Sequence, residues 1–174
     1  MKILFTGGGT AGHVTPAIAI AEKIKRLSKN CEIYFIGRSG GAENALIRNA
    51  GYPIFEIKVR GLSRKHLTKN ISVLREAVKA RKAAKEILLS YAPDVVVGTG
   101  GYVSWPAVSA ANSLGIPTVL HESNAALGAS VRMLARRADK LLLGTDIKTK
   151  YKIPIVKRIT SRLTMRSNLA FISY

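Results

Sequence analysis

Lys2-Ile-Leu-Phe-Thr-Gly-Gly-Gly-Thr-Ala-Gly-His13 opens the chain, and its reading decides the fold. Ile3–Thr6 is a strand by its apolar run. Gly7–Gly12 is a glycine loop, and a helix is expected from about Thr15 to Ser28. Glycines permit tight turns and close ligand approach. The unpaired N–H groups at a helix start favour a bound phosphate. These residues therefore predict an α/β protein that handles a phosphate-bearing molecule.

The same strand-to-helix step recurs along the chain. Strands are expected at Glu32–Ile36, Ile54–Val59, Asp94–Val97, Thr118–Leu120 and Lys140–Leu143. Helices are expected near Ala42–Arg48, Thr68–Leu89, Ser104–Leu114 and Leu127–Arg136. Crossovers of this kind make parallel sheets. Val95–Val97 is apolar without alternation, as strands covered on both faces are. The fold class is α/β, an open, doubly wound parallel sheet of Rossmann-like type. In the first helix, Ile20, Ile24 and Leu27 are expected to pack on the sheet.

The 174 residues suffice for one domain with a real core. Apolar residues make up 47% and charged residues 22%, which is globular composition. The single cysteine, Cys31, excludes an intrachain disulfide framework and reads as a buried small hydrophobe. No secretory signal and no membrane-spanning run are visible, so the expected compartment is the cytoplasm or its membrane face. The formal charge is +18, from 28 basic against 10 acidic residues. Such a balance predicts attraction to polyanions. The basic residues gather in two stretches, 58–90 and 145–174. The domain is expected to occupy 1–144, with 145–174 a basic tail without convincing periodicity.

Three loops fall beyond the carboxyl ends of strands, where open parallel sheets bind ligands. The first, Gly7–Gly12, has the Gly-x-Gly-x-x-Gly spacing of a dinucleotide loop. The acidic residue that such a site wants at the end of strand two is absent. Arg38 stands there and suits a phosphate, which leaves an NADP-type reading open. The second is Gly98-Thr-Gly-Gly101, and the third is His121-Glu-Ser-Asn124. Either glycine loop also reads as a tight turn without a ligand. His13 is a candidate base, since a neutral imidazole accepts a hydroxyl proton; the other reading is a brace for the loop. His121 and Glu122 either hold a sugar hydroxyl or brace their loop. The histidines form no metal-ligand pattern, and no cofactor is expected.

Gly-Gly-Thr-Ala-Gly-His-Val-Thr-Pro (8–16), Gly-Thr-Gly-Gly-Tyr-Val-Ser-Trp-Pro (98–106) and His-Glu-Ser-Asn (121–124) together resemble the N-terminal half of the MurG family. These are undecaprenyldiphospho-muramoylpentapeptide β-N-acetylglucosaminyltransferases, with two Rossmann-like domains facing a cleft (the GT-B fold). The resemblance spans about residues 1–145. It implies inverting transfer of GlcNAc from UDP-GlcNAc to the muramoyl 4-hydroxyl of lipid I, giving lipid II for peptidoglycan synthesis. It implies that His13 is the base, that Thr10, Ala11 and Gly12 approach the donor's sugar-phosphate part, and that Asn124 contacts the donor sugar. Gly100, Gly101 and Tyr102 then line a loop near the acceptor diphosphate, with His121 and Glu122 in support. It also implies a peripheral place on the cytoplasmic side of the cell membrane and a role in cell-wall biogenesis, cell shape and division.

Two positions depart from the family pattern. Ala11 replaces a glycine, which is harmless only if its φ is negative. Trp105 stands where glycine is common, and either narrows the acceptor loop or packs outward. The donor-binding C-terminal domain is expected to have no counterpart in 1–174, and 152–174 does not resemble the family. The expectation is an incomplete enzyme with little activity of its own, either a fragment or one half that needs a separate donor-binding domain. The helix near 68–89 carries Lys69, Arg75, Lys79, Arg81, Lys82 and Lys85, with Leu62, Leu67, Ile71 and Leu74 among or before them. That combination suits an anionic membrane surface; a solvated charged face over a core-facing strip is the plainer reading. A non-catalytic membrane- or nucleic-acid-binding domain is the reading from another class. Without an aromatic platform or a helix-turn-helix or zinc pattern, no nucleic-acid partner is expected.

Overall fold

The computed structural model describes residues 1–61 and 70–144. Strands β1 (Lys2–Thr6), β2 (Glu32–Arg38), β3 (Ile54–Ile57), β4 (Val95–Gly98), β5 (Thr118–Glu122) and β6 (Lys140–Leu143) form one sheet in the order β3-β2-β1-β4-β5-β6. Every neighbouring pair is parallel. The helices are α1 (Ala11–Leu27), α2 (Asn44–Asn49), α3 (Asn70–Tyr91), α4 (Ser104–Leu114) and α5 (Ala129–Leu134). The doubly wound α/β architecture expected from the sequence is the one observed.

Strand pleating sends neighbouring side chains to opposite faces. Ile3, Phe5, Phe35, Val95 and Val97 enter one core with Val14, Ala17 and Ala21 of α1 and Ile47 of α2. Leu4, Ile36, Val96 and Leu120 enter the other, with Ala84 and Leu88 of α3, Val108 of α4 and Val131 of α5. Both faces are covered, which explains the unbroken apolar run of β4. Cys31 is buried, and its Sγ–H donates to the Ser28 carbonyl at 2.9 Å.

The direction in which successive strands are added to the sheet reverses between β1 and β4. There Thr6 lies in register with Gly98, so the loops that follow the two strands start side by side. This is the switch point at which sheets of this kind open a crevice.

Three expectations are corrected. Helix α1 begins at Ala11, not near Thr15, so Gly12 and His13 belong to its first turn. Its buried stripe is Val14, Ala17 and Ala21. Ile20 and Ile24 pack partly buried against the same core, as expected, while Leu27 rotates out of it at about 100° per residue and is exposed. Small alanines on the stripe let the helix lie close to the sheet. Strand β5 runs on to Glu122, so His121 and Glu122 are strand residues and not loop residues. Elsewhere the boundaries move by a few residues, as helix and strand ends do.

Candidate functional site at the carboxyl edge of the sheet

The first glycine loop leaves β1 and the second leaves β4, and the two are locked together. Thr99 N–H donates to the Thr6 carbonyl at 2.9 Å. Thr99 Oγ1–H donates to the His13 carbonyl at 2.7 Å. Ser104 Oγ accepts from Gly100 N–H at 3.2 Å and lies 3.0 Å and 2.7 Å from the carbonyls of Thr6 and Gly100. A Cβ on Gly101 would collide with the Gly8 carbonyl, and Gly101 has φ +75°. The glycine is required there on both counts.

His13 is the third residue of α1, and its ring lies against the second glycine loop. A Cβ on Gly100 would come within 2.8 Å of His13 Nδ1, and one on Gly101 within 3.0 Å of Cδ2. Nδ1 is enclosed and has no hydrogen-bond partner among the described residues. At the start of α1, Thr10 makes no side-chain cap bond, and the first turn holds no acidic residue. That end of the helix keeps its affinity for an anion. Ala11 lies in the helix. Ala92 is the one non-glycine residue with positive φ among the described residues, so the substitution at 11 carries no backbone strain.

Tyr102 extends over the first loop. A Cβ on Gly9 would sit 2.5 Å from its ring, and one on Gly61 2.9 Å. Burial pushes the Tyr102 hydroxyl above its ordinary range, with Arg38 pulling it down and Glu43 pushing it up. Glu43, which the sequence reading did not single out, is buried and accepts the Gly9 N–H at 2.7 Å. Arg38 is half-buried, and its Nε is enclosed without a partner among the described residues. Trp105 is partly buried and packs against the core on the α4 side.

The third group sits at the end of β5. Glu122 is 1% exposed. Its Oε1 accepts the Asn124 backbone N–H at 3.1 Å and the Asn124 side-chain amide at 2.7 Å. Its Oε2 accepts the Gly128 N–H, ahead of α5, at 2.8 Å. Both oxygens accept from the loop, so Glu122 braces it. Asn124 is exposed and is oriented by that brace. His121 is half-buried, and burial holds its imidazole below the ordinary histidine range, against an upward pull from Glu122. No hydrogen bond joins this group to His13 among the described residues. The fold brings the two glycine loops, His13 and Tyr102 into contact and leaves the β5 group beside them on the same edge.

On α3, Leu74 and Val78 are exposed by 61% and 59%. Arg75, Lys79, Lys82 and Lys85 are exposed with them. Leu62, His66, Leu67, Lys69, the Ile71 side chain and the tail 145–174 lie outside the described residues. Among the described residues no helix is long and apolar enough to cross a membrane. Nor does any group of three or more His, Cys, Asp or Glu gather in a metal-binding arrangement there.

Residues 3–143 match the glycosyltransferase family 28 N-terminal domain. The UDP-N-acetylglucosamine–N-acetylmuramyl-(pentapeptide) pyrophosphoryl-undecaprenol N-acetylglucosamine transferase of Lactobacillus gasseri is 43% identical over 148 residues, 84% of this chain and 40% of that protein. The protein of the same name from Bacteroides fragilis is 37% identical over 169 residues, 97% of this chain and 44% of its own length. That second alignment runs into the basic tail. The chain thus spans about two fifths of the relatives it matches. The crystal structure of Acinetobacter baumannii MurG superposes with a TM-score of 0.71 at 29% identity, over 82% of this chain and 40% of that one. A UDP-GlcNAc 2-epimerase from Methanocaldococcus jannaschii reaches 0.57 at 16% identity, over 84% of this chain and 39% of that one, a likeness of fold alone.

Proposed function

The chain belongs to the family of glycosyltransferase family 28 N-terminal domains, and on that ground we propose that it forms the acceptor-side half of a GlcNAc transferase cleft. The acceptor is lipid I and the donor UDP-GlcNAc. The observation that carries this reading is His13 wedged against the second glycine loop at the start of α1. A general base and an anion-attracting helix end then share one crevice.

The chemistry follows from that arrangement. The acceptor diphosphate lies near Gly100, Gly101 and Tyr102. Thr10, Ala11 and Gly12 face the donor's sugar-phosphate part. Asn124, with its NH2 held by Glu122, offers Oδ1 to the donor sugar. His13 Nε2 takes the proton of the muramoyl 4-hydroxyl as that oxygen attacks the anomeric carbon. The bond from that carbon to the UDP oxygen breaks, and UDP leaves with the electron pair. Attack opposite the leaving group inverts the anomeric centre. A donor-binding half completes the cleft, because orientation of both substrates supplies much of the rate. On this reading the product is a peptidoglycan precursor, on which cell shape and division depend.

The exposed Leu74 and Val78 among Arg75, Lys79 and Lys82 support a peripheral place on the anionic, cytoplasmic side of the cell membrane, where a lipid-linked acceptor is met. The test is an isotope-labelled chain titrated with UDP-GlcNAc and with a water-soluble, short-chain lipid I analogue. Amide shifts should move at 7–13 and 98–102. If neither ligand moves those amides, the reading fails.

A further inference from the structure

Glu43 lies in the turn between β2 and α2, outside every motif considered above. It is a carboxylate at 8% exposure that forms no ion pair among the described residues. What it does have is the Gly9 N–H, at 2.7 Å. Its surroundings leave it little freedom. A Cβ on Gly8 would lie 3.1 Å from Glu43 Oε1, and one on Gly41 3.0 Å from it. Gly9 itself has φ +92° and is covered by the Tyr102 ring. Gly9 is therefore held in two ways, its amide by a carboxylate from the β2–α2 turn and its Cβ side by an aromatic ring from the second glycine loop. Gly9 is followed directly by Thr10 and the start of α1.

We propose that Glu43 is a positioning residue: by holding the Gly9 amide it fixes the first glycine loop, and with it the start of α1 and His13, in the form that receives a phosphate-bearing ligand. The inference rests on the proposed function for the identity of that ligand. A side chain of this length suits the task because it carries an acceptor oxygen across the gap to the Gly9 N–H. The bond also determines where a phosphate goes. In a dinucleotide-binding loop the backbone amides of the glycine loop meet the pyrophosphate. Here the Gly9 amide is already engaged, so a ligand phosphate is directed to the amides at the start of α1. The Gly-x-Gly-x-x-Gly spacing is kept while its use is changed.

Two substitutions separate reach from charge. E43Q keeps the side-chain length and offers a carbonyl oxygen to Gly9. E43D keeps the charge and is one methylene too short. Amide-proton exchange and binding of UDP-GlcNAc, whose phosphates face the start of α1 on the proposed reading, are measured on the full chain for wild type and both variants. In E43D, Gly9 exchange should rise about tenfold or more, and UDP-GlcNAc affinity should fall about tenfold. E43Q should stay within about threefold of wild type on both. A residue needed only as a buried charge would give the opposite order, with E43D mild and E43Q severe, and that result overturns the proposal. So does an E43D chain whose Gly9 exchanges faster while affinity is unchanged. If wild type fails to bind UDP-GlcNAc at these loops, the donor part of the proposed function fails. The proposal then falls with it even where the Gly9 exchange behaves as expected, because the clamp would serve the fold alone.

Discussion

His13 and Glu122 sit on the same sheet edge under different constraints, and substitution should tell them apart. The His13 ring lies on glycines, and its Nδ1 is enclosed without a partner. Removing it takes away little packing. In the chain combined with the donor-binding half of a relative, H13A should lower turnover by roughly two to four orders of magnitude, the usual range for a positioned acid–base group. Its unfolding free energy should change by no more than about 1 kcal/mol. Rate and urea melts on the same preparations check both halves, and a near-normal rate with a large loss of stability would make His13 a loop brace. Glu122 should behave in reverse. E122A strips the acceptor from the Asn124 backbone and side-chain amides and from the Gly128 N–H. Unpaired donors of this kind cost about 1–3 kcal/mol each when buried, and partial rescue by water leaves a loss of roughly 3 kcal/mol. The sequence displayed His13, Asn124 and the glycines because a loop between strand and helix is a local pattern. It did not display Glu43, whose contact with Gly9 spans 34 positions, or the burial of Glu122, which depends on strands pairing around it. The pair Gly40-Gly41 just ahead of Glu43 was the only local signal, and it reads as an ordinary turn.

Among the elements, α1 shows most clearly what periodicity can and cannot give. Its existence was legible from the apolar spacing, but its start was not. Gly12 and His13 are poor helix formers and read as loop; tertiary contact overrides them, since Thr99 grips the His13 carbonyl. The face assignment holds for Ile20 and Ile24, fails at Leu27 and passes over the alanine stripe. Isoleucines and leucines draw attention, whereas close packing on a sheet favours Ala17 and Ala21. Helix α3 is the opposite case, an element whose inner face is well packed by Ala80, Ala84 and Leu88 while Leu74 and Val78 stay exposed. L74S/V78S should therefore leave the urea midpoint nearly unchanged. On the membrane reading it should lower partition onto anionic vesicles by roughly tenfold, from lost apolar burial of about 1.4 kcal/mol. Vesicle sedimentation at low and high salt checks this. Unchanged partition would assign the surface to solvent.

At the scale of the whole molecule, the doubly wound order was legible because strand, glycine loop and helix recur in sequence, and right-handed crossovers leave few topologies. What was hidden is the balance of buried titratable groups, which emerges only when the sheet is assembled. Its sign can be worked out. Burial holds His121 below the ordinary value of 6.5, overriding Glu122. The unfolded chain then binds the proton more readily than the folded one. The stability from His121 is full above about pH 6.5 and is lost as pH falls through the folded value. Glu56 is held below 4.5, chiefly by its hydrogen bond with Arg48 and then by the Gly40 N–H. Its contribution is likewise lost on acidification, below about pH 4.5, and is small because the pair is largely solvated. Tyr91, Tyr52 and Tyr102 are raised above 10.0, each first by burial. Their contributions are present below about pH 10 and are lost as pH rises beyond it, where the unfolded phenols ionise and the folded ones do not. Tyr91 should dominate that limb, since its hydroxyl also donates to the Glu32 carbonyl at 3.2 Å. The expected profile is a plateau from about pH 7 to 9 with a fall on either side. Urea midpoints taken across about pH 5 to 11 test it. H121Q should flatten the limb between about pH 5 and 7, and Y91F should shrink the alkaline fall. An acid limb that persists unchanged in H121Q would assign it to carboxylates and remove His121 from the pH response.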